Sequence, residues 1–129
     1  MNALRCCATL ALALLIGACA EPPKQAGLAD VIDRPAEKAL LAGMRAYDDA
    51  QYAEAEGQLN KALGAGLASA RDRATAHKLL AFIYCTSNRV PACEQAFRTA
   101  RKEDPNFALS RSEAGHPMWG PVYKKVAGN

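Results

Sequence analysis

The chain has 129 residues, of which 50% are hydrophobic, and a formal net charge of +3. This length allows a single folded domain of ordinary size. The small basic excess argues against nucleic acid as a partner, because binding to the phosphate backbone requires the neutralisation of several charges.

The N-terminal residues 1–18 are predicted to be a lipoprotein signal peptide. Arg5 supplies a single early positive charge, residues 6–18 carry none, and Leu10–Ile16 is almost entirely aliphatic. A basic start, a short apolar core and small residues are the layout of a secretory signal. As a helix the whole uncharged stretch 6–18 would span only about 20 Å, against about 30 Å of bilayer hydrocarbon, so a permanent transmembrane helix is not expected.

The end of this segment predicts a lipid anchor. Ile16-Gly17-Ala18-Cys19 resembles a bacterial lipobox, in which the cysteine thiol receives the acyl chains. Lipidation of Cys19 is therefore the leading interpretation, and an ordinary signal peptide cut near Ala18 or Ala20 is the alternative. In lipoproteins of this kind an Asp after the cysteine favours the inner membrane. Ala20 in that place favours the outer membrane, with the domain on the periplasmic face.

Residues 19–33 are predicted to be a flexible tether between the anchor and the domain. The segment contains Pro22, Pro23 and Gly27 and has no sustained apolar period. Extended, Glu21–Asp33 would reach about 40 Å from the membrane. In the alternative interpretation Leu28–Ile32 packs on the domain.

Residues 34–129 show a helical period and no useful alternating β pattern, so the predicted class is all-α. Four main helices are expected, separated by polar or Gly/Pro breaks. In chain order they start at Pro35, at Tyr52, near Ala68 and at Pro91, and they end before Asp48, at Gly64 or Gly66, at Cys85 and before Asp104.

The two helix pairs have matching internal spacings. A shift of about 38 residues superposes Gly43 on Ala81 and Leu59 on Phe97, with small residues flanking each of the large ones. This resembles the tetratricopeptide motif, whose usual period is about 34 residues. The resemblance implies two helical hairpins in which small residues let the backbones approach. A plain four-helix stack is the alternative.

The five cysteines are expected to have different roles. Of the five, Cys6 and Cys7 leave with the signal peptide and Cys19 takes lipid, which leaves Cys85 and Cys93 in an oxidising compartment. They lie on neighbouring antiparallel helices across a short turn, so a disulfide is expected. Two buried thiols are the alternative, and a metal or redox role is weaker because the spacing is not C-x-x-C.

The C-terminal segment is predicted to cap the stack. Ser110 and Glu113 have the spacing of a capping box for one helical turn. A final short helix follows, on which Val122, Tyr123 and Val126 share a face. A repeat stack needs its last apolar face covered, so Trp119 is expected to be a packed cap residue.

Residues 76–85, with Cys93 and Phe97, and the string EAGHPMWGPVY at 113–123 give the chain a specific resemblance. They resemble TssQ, a family of small lipoproteins that accompany type VI secretion gene clusters in proteobacteria. The resemblance covers about Pro35–Val126 together with the lipobox. It implies a protein partner in the secretion apparatus.

No catalytic constellation is recognised, so the chain is not expected to be an enzyme, and no cofactor, metal or small-molecule substrate is predicted. The expected role is a membrane-tethered adaptor that binds protein on the exposed face of the first helix of each pair, here called the A face. The binding residues predicted there are Met44, Tyr47, Lys78 and Phe82. The other A-face positions are Glu37, Leu40, Asp48, Thr75, Cys85 and Thr86.

Two alternatives to this role remain open. The first is a lipoprotein adaptor for another envelope machine, such as one for pilus or outer-membrane assembly. The second is a structural stabiliser of the envelope that has no peptide groove. In this case the C-terminal segment or the tether covers the A face.

Overall fold

The computed structural model describes residues 34–128, and this part contains six α-helices and no β-strand. The predicted all-α class is confirmed. The predicted signal peptide, Cys19 and the predicted tether at 19–33 lie outside the described residues. The helices are α1 Pro35–Asp48, α2 Tyr52–Ala65, α3 Ala70–Thr86, α4 Val90–Glu103, α5 Arg111–Ala114 and α6 Gly120–Ala127.

Helix ends follow local chemistry. Proline occupies the first turn of α1, α4 and α6, where its missing N–H is not needed for the helix. Ser69 caps α3, since its side chain accepts a hydrogen bond from the Asp72 N–H at 3.2 Å. Helix α2 ends at Ala65 and is capped by Gly66, whose φ of 88° is a left-handed conformation that suits glycine.

The main helices form two antiparallel hairpins, α1 with α2 and α3 with α4, stacked through α2 and α3. The two hairpin turns have the same backbone. Ala50 and Asn88 both have a positive φ, of 58° and 61°. The next N–H in each turn, that of Gln51 or Arg89, donates to a carbonyl five residues earlier at 2.8 Å. The internal repeat therefore extends to the details of the turns.

The core of each hairpin uses the small–large–small pattern of its second helix. In α2 the fully buried residues are Ala55, Leu59 and Ala62, and in α4 they are Cys93, Phe97 and Ala100. A Cβ added to Gly43 on α1 would lie 2.9 Å from Leu59 Cγ and 3.1 Å from the Leu59 backbone nitrogen. Glycine is thus required where α1 meets α2.

The C-terminal segment closes one end of the stack, as predicted. Ser110 and Glu113 form the full capping box at the start of α5. Helix α6 lies on α4, with the Tyr123 ring edge-on to Phe97 at 5.2 Å and the Lys125 ammonium 2.6 Å from the Glu94 carboxylate. No helix within residues 34–128 combines the length and the hydrophobicity needed to cross a bilayer.

Candidate protein-interaction site

One predicted A-face position, Cys85, belongs to the cysteine pair. Cys85 in the last turn of α3 and Cys93 in the first turns of α4 form a disulfide, with their Cα atoms 5.2 Å apart. Both residues are buried, at 2% and 0% exposure. Cys85 is therefore a covalent link between the helices of the second hairpin and is not presented to a partner.

Phe82 lies in the core. It is 4% exposed, and the Trp119 ring stacks on it at 4.2 Å with an interplanar angle of 22°. Phe97 lies below it, with the ring centroids 6.1 Å apart. The expectation that Phe82 lines an open groove is corrected, because the C-terminal segment covers this part of the A face.

Trp119 is held in this covering position by its own segment. Its indole N–H donates to the Glu113 carbonyl at 2.8 Å. The His116 ring stacks parallel on its other side at 3.3 Å, and only 9% of Trp119 remains exposed. Trp119 is thus a packed cap residue, as the sequence indicated.

Lys78 is partly engaged. Its ammonium lies 2.7 Å from the Glu113 carboxylate and 5.8 Å from the centre of the Phe82 ring. Burial alone would raise the pKa of Glu113, but hydrogen bonds from Lys78 and Ser110 outweigh it and lower the pKa. Glu113 therefore stays ionised, and the ion pair fastens α5 to α3.

In the first hairpin the A face remains partly open. Met44 is 36% exposed, and Tyr47 is half-buried, with its ring 5.6 Å from Tyr52 and 6.4 Å from Phe82. Burial raises the pKa of Tyr47, and the neighbouring Tyr52, Asp48 and Glu113 act in the same direction. Leu40 and Glu37 are buried.

A cavity of about 450 Å³ opens beside the first half of α3. It lies where the connection from α4 to α5 passes over that helix, and most of its lining is polar. The lining residues are Arg71, Ala74, Thr75, Lys78, Asp104, Asn106, Phe107 and Ala108. The sequence placed Thr75 and Lys78 on the A face, but it gave no signal for the residues from the connection, since the contact is tertiary.

Both histidines lie against other residues of the helical domain. His77 on α3 lines a shallow cleft with Asn60 and Tyr84, and burial lowers its pKa against the opposing effect of Glu103. His116 accepts a hydrogen bond from the Met118 N–H on its Nδ1 at 3.2 Å. Across residues 34–128, no group of three or more His, Cys, Asp and Glu side chains is arranged to hold a metal ion.

The A face is thus divided in two by the stacked pair of Trp119 and Phe82. Met44 and Tyr47 lie on one side, and the polar cavity bordered by Arg71 and Lys78 lies on the other. Surface side chains of mixed polarity beside a cavity with a mostly polar lining suit an extended peptide segment better than a small apolar ligand.

Two stacked helical hairpins with a C-terminal cap define the class of the domain as a small all-α hairpin stack. In comparisons with known proteins, no family model matched the chain, and neither a curated protein nor a solved structure matched it.

Proposed function

We propose that the protein is a membrane-anchored lipoprotein of the bacterial envelope. Its helical domain acts as a protein-interaction adaptor, as an accessory component of a type VI secretion system. The anchor is the acylated Cys19, and the domain faces the periplasm from the outer membrane. The observation that carries the proposal is the string Ile16–Cys19, which resembles a lipobox, ahead of a helical hairpin stack.

The cysteine chemistry supports an envelope location. A disulfide between Cys85 and Cys93 fits an oxidising compartment, whereas cytosolic thiols are kept reduced. The resemblance to TssQ, carried mostly by the second repeat and by the string at residues 113–123, supports the assignment to type VI secretion. An anchored domain raises the local concentration of its partner at the membrane without any catalytic step.

The open parts of the A face are the proposed partner site. Arg71 borders the cavity and presents positive charge to an incoming segment, while Met44 presents apolar surface. An acidic or mixed peptide segment of the secretion apparatus matches these groups. Phe82 is not a suitable position for a substitution that tests binding, because its replacement would damage the core and the cap.

Crosslinking in cells, with the lipidated protein as bait, tests this function. Arg71→Glu and Met44→Glu are each expected to reduce capture of a secretion-apparatus component about tenfold or more, because each places a negative charge in the site. Lys102→Glu and Val90→Glu are the matched controls. Lys102 is exposed like Arg71, and Val90 at 39% exposure resembles Met44 at 36%. Both controls are expected to retain capture.

The same cells test the anchor. Cys19→Ser is expected to abolish acylation and membrane retention of the processed protein, whereas Cys6→Ser, in the signal segment, leaves them intact. A Cys19→Ser protein that is processed and stays membrane-bound contradicts the anchor. Capture of components of a pilus or outer-membrane assembly machine instead would assign the adaptor to another envelope system.

A structural stabiliser without a peptide site is the second candidate. It is favoured by Trp119, which covers Phe82 and closes the middle of the A face. If folded Arg71→Glu and Met44→Glu variants capture the same partner as the unmodified protein, the A face is not the binding site and this second candidate is preferred.

A further inference from the structure

The outer side of α1 carries an apolar strip between basic residues, and no other element within residues 34–128 covers it. Lys38, Leu41, Ala42 and Arg45 line a shallow cavity of about 380 Å³, and all four belong to α1. Leu41, at its centre, is 49% exposed. The buried side of α1 carries Ala39, Gly43 and Ala46 and faces the domain.

The two ends of the hairpin stack are unequal within residues 34–128. At the α4 end, α6 covers the last helix through Tyr123 and Lys125. At the α1 end no described element covers Leu41. Stacked repeats require both terminal faces to be covered or polar, because each helix pair otherwise leaves an apolar face in water.

The charges on this strip identify the chemistry of its occupant. Lys38 and Arg45 flank the apolar centre, and Arg34 lies one turn before Lys38. A second copy of the same face would bring like charges together, which is unfavourable. The occupant should therefore carry acidic residues beside apolar ones.

The segment that directly precedes α1 has this composition. Residues 28–33 read LADVID, with Leu28, Val31 and Ile32 apolar and Asp30 and Asp33 acidic. Extended at about 3.3 Å per residue, the six residues span about 20 Å. The distance from Arg34 to Arg45 along the helix is about 16 Å, so the segment can reach the whole strip by folding back.

We propose that Leu28–Asp33 docks on the outer side of α1. Its apolar side chains cover Leu41 and Ala42, and Asp30 and Asp33 face Lys38 and Arg45. The segment is joined to α1 by Arg34 alone, so its effective concentration at the strip is in the millimolar range or higher. On the proposed anchoring at Cys19, docking shortens the free tether to Glu21–Gly27, which cuts its reach from about 40 Å to about 20 Å.

Hydrogen exchange measured by mass spectrometry on the purified lipidated protein in detergent tests the docking. Amides of residues 28–33 are expected to exchange about tenfold or more slowly than those of residues 21–27, because docking excludes them from water. The double variant Lys38→Glu with Arg45→Glu is expected to remove this protection. Adding Asp30→Lys and Asp33→Lys to it is expected to restore the protection, since the charges are then exchanged.

Lys61→Glu with Lys102→Glu makes the same change of charge on other exposed positions and is expected to leave exchange of residues 28–33 unaltered. Equal exchange of residues 21–27 and 28–33 in the unmodified protein would overturn the proposal. Dimerisation that protects Leu41, or binding to phosphatidylglycerol vesicles that requires Lys38 and Arg45 while residues 28–33 stay unprotected, would also overturn it. None of these readouts depends on capture of a secretion component.

Discussion

At the residue scale, the close approach of α1 and α2 depends on the absence of a side chain at Gly43. Leu59 is fully buried opposite it, and both its side chain and its backbone nitrogen lie within 3.1 Å of the position that a Cβ would take. A neighbour at such a distance must move, and a backbone atom moves only with its helix. The site therefore does not accept even a methyl group without a shift of α2.

Gly43→Ala is expected to lower the free energy of unfolding by about 1–3 kcal/mol, the usual range for overpacking a core. Urea unfolding followed by circular dichroism measures the change. Gly57→Ala is the matched control, because nothing lies within 4 Å of its added Cβ and alanine favours the helix by about 0.5–1 kcal/mol. The two substitutions should thus have opposite signs. A stabilised Gly43→Ala protein would contradict the close packing of α1 on α2.

At the element scale, the two hairpins share their backbone turns but differ in how each is fastened. Ala55 on α2 and Cys93 on α4 occupy equivalent positions in the repeat, and both are fully buried. Only Cys93 carries a sulfur atom, and its bond to Cys85 closes a loop with a sequence separation of 8. Arg89 in the second turn also reaches Glu56 on α2 through two hydrogen bonds, at 2.9 and 2.6 Å. The second hairpin therefore has more cross-links than the first.

Reduction of the disulfide is expected to lower stability by about 2.5 kcal/mol by the loop-entropy estimate. This corresponds to a fall in Tm of about 10 to 20 °C for a domain of this size. Thermal unfolding with and without reductant measures the effect, and alkylation of the unreduced protein should modify neither Cys85 nor Cys93. The Cys85→Ala with Cys93→Ala variant is the control and should not respond to reductant. Complete alkylation without reductant would contradict the bond.

Helix boundaries and the hairpin order could be predicted from the sequence, because their signals are local. Pro35, Gly66 and Ser110 act within one turn of the chain. The burial of Phe82 could not be predicted from such local signals. It depends on Trp119, far along the chain, and periodicity shows which face of a helix is apolar but not which distant segment covers that face. The polar cavity beside Lys78 was missed for the same reason.

At the scale of the whole molecule, the helices are joined at their junctions by ion pairs. Arg73 with Glu103 joins α3 to α4, Lys78 with Glu113 joins α3 to α5, and Lys125 with Glu94 joins α6 to α4. Burial opposes ionisation of all three carboxyl groups and is the largest single effect on Glu113, but hydrogen bonds from these cations contribute to a net lowering of each pKa. The capped stack therefore depends on carboxylates that remain ionised.

Acid is expected to destabilise the domain in two stages. The first starts below pH 6.5, the ordinary pKa of His77, because burial lowers that pKa in the folded state. The unfolded chain then binds a proton that the folded protein does not, so stability falls with pH. The second starts near pH 4.5, the ordinary pKa of Glu94, Glu103 and Glu113, and continues through their lower folded values. Measurement of Tm from pH 7 to pH 3 would follow both stages.

Two variants and added salt distinguish the two stages of acid destabilisation. His77→Gln should flatten the profile above pH 5, and Glu113→Gln should lower stability at neutral pH while reducing the loss below pH 4.5, because it removes a group that takes up a proton on unfolding. High salt should shrink the second stage, since salt screens exposed ion pairs, but it should leave the first, which arises from burial of His77. A profile above pH 5 that is the same with and without His77 would show that burial does not keep this histidine neutral.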